Sequence, residues 1–313
     1  VNVASVEYED IALGNVYSKT RAFVKIQDGC NQFCTYCIIP YARGRIRSRS
    51  VESVVSEIEL LSERGCKEFV LTGIHVSSYH VMENGKEYYL IDLLETVSEI
   101  EGVKRIRLSS LEPGIITEEF VKHLVKIDKI CPHFHLSLQS GSDSVLKRMN
   151  RRYTSREYYD KCILLREYYD NPAITTDVIV GFPQESEEEF DETRSFLDKV
   201  HFASMHIFKY SRRKGTKADA MSGQIDESIK ADRSSKLIEL GGKMSREYME
   251  KFINRNVEVL LEEKVVIDDV SYYQGYTKEY IKVLCKSKKD LSNEIIEGRI
   301  TGTMNNLLLV EKM

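Results

Sequence analysis

No apolar run in the 313-residue chain approaches the roughly 18 residues that cross a bilayer, so a membrane-spanning helix is excluded. The first residues, VNVASVEYED, lack the basic flank and apolar stretch of a secretory signal. They begin at Val1 rather than at a methionine, which points to something removed upstream. Net positive charge is missing too. Lys and Arg number 45 against 49 Asp and Glu, leaving −4, so a general nucleic-acid binder is not described and local clusters must carry any such role. Cysteine is sparse, with seven residues, odd in number and unevenly placed. That excludes a disulfide framework and fits reduced thiols in a cytoplasmic compartment. Internal repeats and low-complexity linkers are absent. What is present is 42% hydrophobic against 30% charged residues, enough for one large domain and a small one.

Apolar or β-branched runs at 22–27, 67–72, 104–109, 133–139, 174–180 and 204–210 are each read as a strand. Amphipathic segments follow most of them. Val51, Val54, Val55, Ile58 and Leu61 keep a helical period, and Gly65 stands where a helix C-terminus needs a left-handed residue. Residues 91–100 and 117–127 read as helices in the same way. Thr154 with Glu157, and Ser186 with Glu189, are capping-box pairs opening two later helices. Strand then helix, six times over, predicts parallel strands with right-handed crossovers. No Gly-x-Gly-x-x-Gly opens the first helix, which disfavours a dinucleotide fold. The expected fold class is therefore α/β, a partial (β/α)6 barrel with its chemistry on the loops after the strands. After about Met249 the pattern changes. A long helix over 227–252 leads to short strands at 257–262, 275–284, 294–301 and 307–310, with turn signals at Asp268-Asp269 and Ser292-Asn293. These predict a small all-β barrel.

The segment DGCNQFCTYCIIPYARG sets Cys30, Cys34 and Cys37 at C-x3-C-x2-C directly after the first strand. Three soft thiolates on so short a loop can hold three irons of an iron–sulfur cube and leave the fourth iron open to a small molecule. Two other readings compete. The spacing also matches a buried helical seam, but Gly29, Asn31 and Pro40 oppose a helix here. Zinc would need a fourth ligand, and no Cys or His stands at a customary spacing nearby. Cys66, Cys131, Cys162 and Cys285 are scattered singly and read as small core hydrophobes.

With this loop the chain resembles the radical S-adenosylmethionine (SAM) superfamily. The blocks LTGIH, RIRLSSLEP, HLSLQSGSDSVLKRMNR and TTDVIVGFPQE extend the likeness, in order, to its methylthiotransferases. The wording of the cysteine loop and of LTGIH is most similar to the tRNA enzymes acting at C2 of N6-threonylcarbamoyladenosine. The isopentenyladenosine branch carries an LGQN block at that place. The resemblance implies one [4Fe-4S] cluster, S-adenosylmethionine, a tRNA substrate and an electron donor such as flavodoxin or ferredoxin, with no DNA or membrane partner. It implies a linker at 1–18, a radical SAM domain at 19–248 and a TRAM β-barrel at 249–313. It also implies a second [4Fe-4S] cluster in the full-length protein only, so this chain alone is expected to cleave SAM without completing methylthiolation.

Candidate cofactor contacts follow from strand ends and from the likeness. Tyr36 matches an aromatic position near adenine, although simple packing would also account for it. Gly73 ends the second strand, and its bare backbone could approach the methionine carboxylate. The family's strand-end turn near adenine matches Gly181-Phe182-Pro183. Ser110 and Glu112 follow the third strand. His133, His135, Ser137 and Gln139 share one strand face, which is costly inside a barrel unless partners or ligand satisfy it. Glu112, Gln139 and Asp177 are thus SAM or substrate candidates, with structural hydrogen bonding as the competing use. Three basic clusters also follow strands: Arg43, Arg45, Arg47 and Arg49; Arg148, Arg151 and Arg152; Arg212, Arg213 and Lys214. Gathered at one barrel mouth they would attract an RNA backbone. The β module offers ten basic and eleven acidic residues from Met249 onward, so its charge does not announce RNA. Its Tyr272, Tyr273, Tyr276 and Tyr280 are stacking or packing residues. A ribosomal-protein substrate, a zinc-holding RNA-binding protein without catalysis, and a radical enzyme of different outcome such as simple methylation remain competing functions.

Overall fold

A computed structural model describes residues 20–313; the expected linker at 1–18 lies outside the described residues. Six parallel strands curl into an open half-barrel. Three belong to one sheet, β1 (Arg21–Asp28), β3 (Glu68–Gly73) and β6 (Arg105–Leu108), with the short β2 (Arg47–Ser48) antiparallel on its edge. The other three, β7 (His133–His135), β8 (Ala173–Val180) and β9 (Ser204–Lys209), form a second sheet. Single bridges, Ile106 to Ile130 and Leu111 to Leu136, join the two across β6 and β7. The predicted strand at 133–139 is cut to three residues because the chain turns at Gln139, whose φ is +75°. Its alternation survives: Phe134, Leu136 and Leu138 are buried while His133, His135, Ser137 and Gln139 are not.

Helices cover the outer face. They are α1 (Ile39–Ala42), α2 (Val51–Glu63), α3 (Leu90–Ser98), α4 (Glu118–Leu124), α5 (Asp143–Arg148), α6 (Ser155–Tyr168), α7 (Glu187–Val200) and α8 (Glu227–Glu250). Val51, Val54, Ile58 and Leu61 of α2 are buried on one stripe, as their period requires. Gly65 follows that helix with φ +92°. Both capping boxes form, Thr154 with Glu157 and Ser186 with Glu189. A hairpin of β4 (His80–Glu83) and β5 (Lys86–Tyr89) adds to the predicted elements.

The C-terminal segment closes into a barrel of five strands, β10 (Asn256–Ile267), β11 (Val270–Thr277), β12 (Lys282–Lys286), β13 (Ile295–Met304) and β14 (Leu307–Lys312). The predicted strand at 275–284 is in fact two strands, parted by a turn in which Tyr280 has φ +67°. Asp268 and Asp269 take φ +48° and +60°, and Asn305 and Asn306 φ +52° and +61°. Two positive values in sequence mark the tight hairpin turns of a twisted ladder. This barrel plugs the floor of the half-barrel. Glu68 lies fully buried among Arg21, Arg105 and Arg107, which it meets at 2.7, 3.5 and 2.9 Å. Arg105 also donates to the backbone carbonyls of Tyr276 and Glu258, and Arg107 to that of Lys278. Tyr276 and Tyr280 stack on each other and lie under Arg21, so packing is what these two rings do here. No helix among the described residues is long and apolar enough to cross a membrane.

Candidate active site at the mouth of the half-barrel

The loop after β1 is pinned before it reaches its first cysteine. Gly29 has φ +72°, and a Cβ there would sit 1.9 Å from the Arg45 carbonyl oxygen, so only glycine lets the loop close on the backbone of Gly44 and Arg45. Buried Gln27 holds three places at once. Its Nε2 donates to the carbonyls of Asp28 and Gly29, and its Oε1 accepts from the His75 backbone N–H at 2.7 Å. A Cβ on Gly73 would meet Gln27 at 2.9 Å, which ties that glycine to close strand packing. Further along, Thr35 bonds the carbonyls of Met149 and Arg148, and its own carbonyl accepts from Ala218.

Two of the three cysteine sulfurs on this loop receive an N–H. Cys30 Sγ accepts from the Gln32 backbone at 3.4 Å, and Cys34 Sγ from the guanidinium of Arg151 at 3.3 Å. Burial pushes the Cys30 and Cys37 thiols up, and the neighbouring sulfurs add to it. Donors aimed at sulfur are what bound thiolates require. Among the described residues the loop sulfurs do not gather within 4.8 Å of one another, whereas a tetrahedral zinc thiolate site has edges of about 3.8 Å. The donor set therefore fits a cluster better than a single ion. None of the seven cysteines is in a disulfide, and Cys66, Cys131, Cys162 and Cys285 are buried as expected.

Arg151, grouped by sequence with the RNA-facing cations, is instead buried in the site. Its other nitrogen holds Glu112 Oε2 at 2.8 Å and the Ser137 carbonyl at 3.2 Å, and its plane lies over the Tyr153 ring. Burial pushes the Glu112 carboxyl up, opposed by Arg151. His75 stands 4.0 Å from Glu112 and 3.2 Å from Gln32, with Nδ1 buried and unpartnered; burial and then Arg151 hold its pKa down. Tyr36 packs edge-on against Phe182, and burial raises its hydroxyl well above the usual tyrosine range. The Gly181 N–H is taken by Glu185. Thus Cys34, Tyr36 and Glu112 come together around Arg151, while Gly73 packs on Gln27. Gln27, His75, Arg151 and Tyr153 join them; His75 and Arg151 are the last residues of the LTGIH and HLSLQSGSDSVLKRMNR blocks, and sequence reasoning gave neither a place in the cofactor site. Ser110 is exposed beside Glu112. Gln139 donates its N–H to the Asp177 carbonyl, and Asp177 bonds two histidines on the barrel wall.

The remaining cations divide. Arg43, Arg45, Arg152, Arg213 and Lys214 are exposed, with Arg45 over the Phe33 ring. Arg212 is exposed but paired with Asp219 at 2.9 Å. Arg47 pairs with Asp28, Arg49 is buried against Glu57, and Arg148 holds Glu189 at 2.8 Å. The expected rim is therefore thinner than the residue types implied.

Comparison with known proteins agrees with this geometry. Residues 24–197 match the Radical SAM superfamily. The chain is 43% identical over 94% of its length to the threonylcarbamoyladenosine tRNA methylthiotransferase MtaB of Bacillus subtilis, spanning 65% of that protein. It is 41% identical over 92% of its length to the tRNA-2-methylthio-N(6)-dimethylallyladenosine synthase of Clostridium tetani, spanning 63% of it. Among solved structures, the radical SAM methyltransferase TsrM from Kitasatospora setae superposes with a TM-score of 0.53 at 18% identity, covering 63% of this chain and 38% of that one. Coproporphyrinogen III oxidase from Escherichia coli gives 0.53 at 13%, covering 83% and 67%. These two share the fold.

Proposed function

Since the chain belongs to the radical SAM superfamily, we propose that it carries the radical centre of a tRNA methylthiotransferase acting at C2 of N6-threonylcarbamoyladenosine. The observation that carries this reading is a C-x3-C-x2-C loop in which Cys30 and Cys34 each face an N–H donor, in a chain 43% identical to MtaB over 94% of its length.

One [4Fe-4S] cluster and SAM, when bound, supply one-electron cleavage of a sulfonium and with it hydrogen abstraction from carbon. Cys30, Cys34 and Cys37 would hold three irons. Arg151 places a fixed positive charge beside Cys34, and Glu112 keeps that guanidinium in its plane. Gln27 and Gly73 lock the loop against the neighbouring strand end. Tyr36 and Phe182 form an aromatic wall that excludes water from the adenosyl side. Gly73, Ser110, Glu112 and Gln139 are the SAM contacts in this reading, and Asp177 faces the substrate.

Arg43, Arg45, Arg152, Arg213 and Lys214 supply the phosphate contacts for tRNA, and the five-stranded barrel serves as a TRAM domain. Flavodoxin or ferredoxin is the electron donor class. The chain spans about 65% of its first curated relative, and methylthiolation is proposed for the whole protein, in which a second cluster operates. A dimethylallyladenosine substrate is the second reading, favoured by the C. tetani relative at 41% identity. His75 bears on the choice, because the block that separates the branches ends on it and its ring lies beside Glu112.

The test is nucleoside mass spectrometry of tRNA from a methylthiotransferase-deficient host expressing the full-length protein. The methylthio derivative of N6-threonylcarbamoyladenosine is expected. The dimethylallyl derivative alone would overturn the substrate assignment, and unmodified tRNA would overturn the activity.

A further inference from the structure

We propose that His135, Asp177 and His206 form a binding site for a divalent transition-metal ion on the inner wall of the half-barrel, separate from the cysteine loop. The three residues come from adjacent parallel strands, and the pleat sets them on one face. Asp177 pairs in register with His206, and His135 pairs with Thr175, two residues before Asp177. One ligand atom from each lies within 4.8 Å of the others.

Each imidazole faces a different oxygen of the Asp177 carboxylate, at a spacing close to that between ligands on one ion. His135 Nε2 is 3.4 Å from Asp177 Oδ2, and His206 Nδ1 is 3.1 Å from Asp177 Oδ1. Ligands held at about 2.1 Å around a tetrahedral ion stand roughly 3.4 Å apart. The other ring nitrogen of His135 bonds Thr175 Oγ1 at 3.0 Å, so its Nε2 is turned toward the carboxylate. Such an outer contact is the usual means of orienting a ligating imidazole. Two imidazoles and one carboxylate suit zinc, iron(II) or cobalt rather than magnesium or calcium.

An ion can reach the site and still find an open position. The His206 side chain is 64% exposed, Asp177 29% and His135 12%. A cavity of about 300 Å³, lined by His133, His135, Thr175, His206, Tyr248 and Tyr280, adjoins the trio and has room for water or a further ligand.

The test uses the full chain with its cluster reconstituted anaerobically, so that the loop thiols are already engaged. It is equilibrated with micromolar Zn²⁺, desalted, and analysed for zinc and iron. About one zinc per chain is expected, and its K-edge spectrum should show nitrogen and oxygen at about 2.0–2.1 Å without sulfur near 2.3 Å. His206→Ala and Asp177→Asn should each lower zinc retention more than about tenfold with iron unchanged, and Thr175→Val by about tenfold through the misoriented ring. Unchanged thermal melting of Asp177→Asn without zinc serves as the folding control. A sulfur shell, equal zinc in all variants, or no retained zinc overturns the proposal and leaves a hydrogen-bonded trio.

Discussion

The guanidinium of Arg151 donates to Cys34 Sγ at 3.3 Å while the same group holds Glu112 at 2.8 Å. One buried cation thus serves a loop sulfur that follows β1 and a carboxylate that follows β6. Replacing it with Met strands Glu112 in a site where both side chains are nearly covered. A loss of about 3–5 kcal/mol in denaturant unfolding is expected, and most of it should return in Arg151→Met with Glu112→Gln, which removes the orphaned charge. In cluster-loaded protein, Arg151→Met should also shift the reduction potential to a more negative value, because a donor and a positive charge beside sulfur favour the added electron. Redox titration followed by electron paramagnetic resonance measures that shift.

Glu68 on the floor predicts an acid sensitivity of definite sign. Burial alone would raise its pKa, but Arg107, Arg21 and Arg105 outweigh burial and lower it from 4.5 to about 2. A carboxylate depressed in the folded state contributes stability that is complete above pH 4.5 and disappears as pH falls toward 2. The contribution is on the order of 3 kcal/mol. Glu68→Gln should cost about 3–5 kcal/mol at neutral pH, since three arginines lose their anion. It should also flatten the pH dependence of stability in that window, measured by urea titrations at several pH values.

The thinner basic rim makes a quantitative expectation for RNA. Substituting exposed Arg43, Arg213 and Lys214 with Gln should lower the salt slope of tRNA binding by up to about 0.7–0.9 for each phosphate that is no longer neutralised. Arg47→Gln should move it little, because that side chain already pairs with Asp28 at 3.1 Å. Binding isotherms across a salt series separate the two cases.

Local signals in the chain are legible where one element contains both partners. The stripe of α2 and the two capping boxes are of this kind, and so is the Asp268-Asp269 turn. The sequence misleads where a distant partner decides the outcome. Arg151 and Arg152 are indistinguishable as letters, yet one is buried on Glu112, 39 positions away in sequence, and the other is exposed. The run 275–284 reads as continuous because Tyr280 gives no hint of a positive φ, which its stacking on Tyr276 and contact with Arg107 sustain. The cysteine triplet is legible from spacing alone, whereas His75 and Gln27 carry no spacing to find them by.

The central claim is that three loop thiols hold a cluster able to cleave SAM, and the most direct measurement is anaerobic reconstitution followed by dithionite reduction with SAM present. Wild-type chain should contain roughly four irons and four sulfides and release 5′-deoxyadenosine. Cys34→Ala should release none. Equal nucleoside yield from the two proteins, or a wild-type chain that takes up no iron, would contradict the assignment.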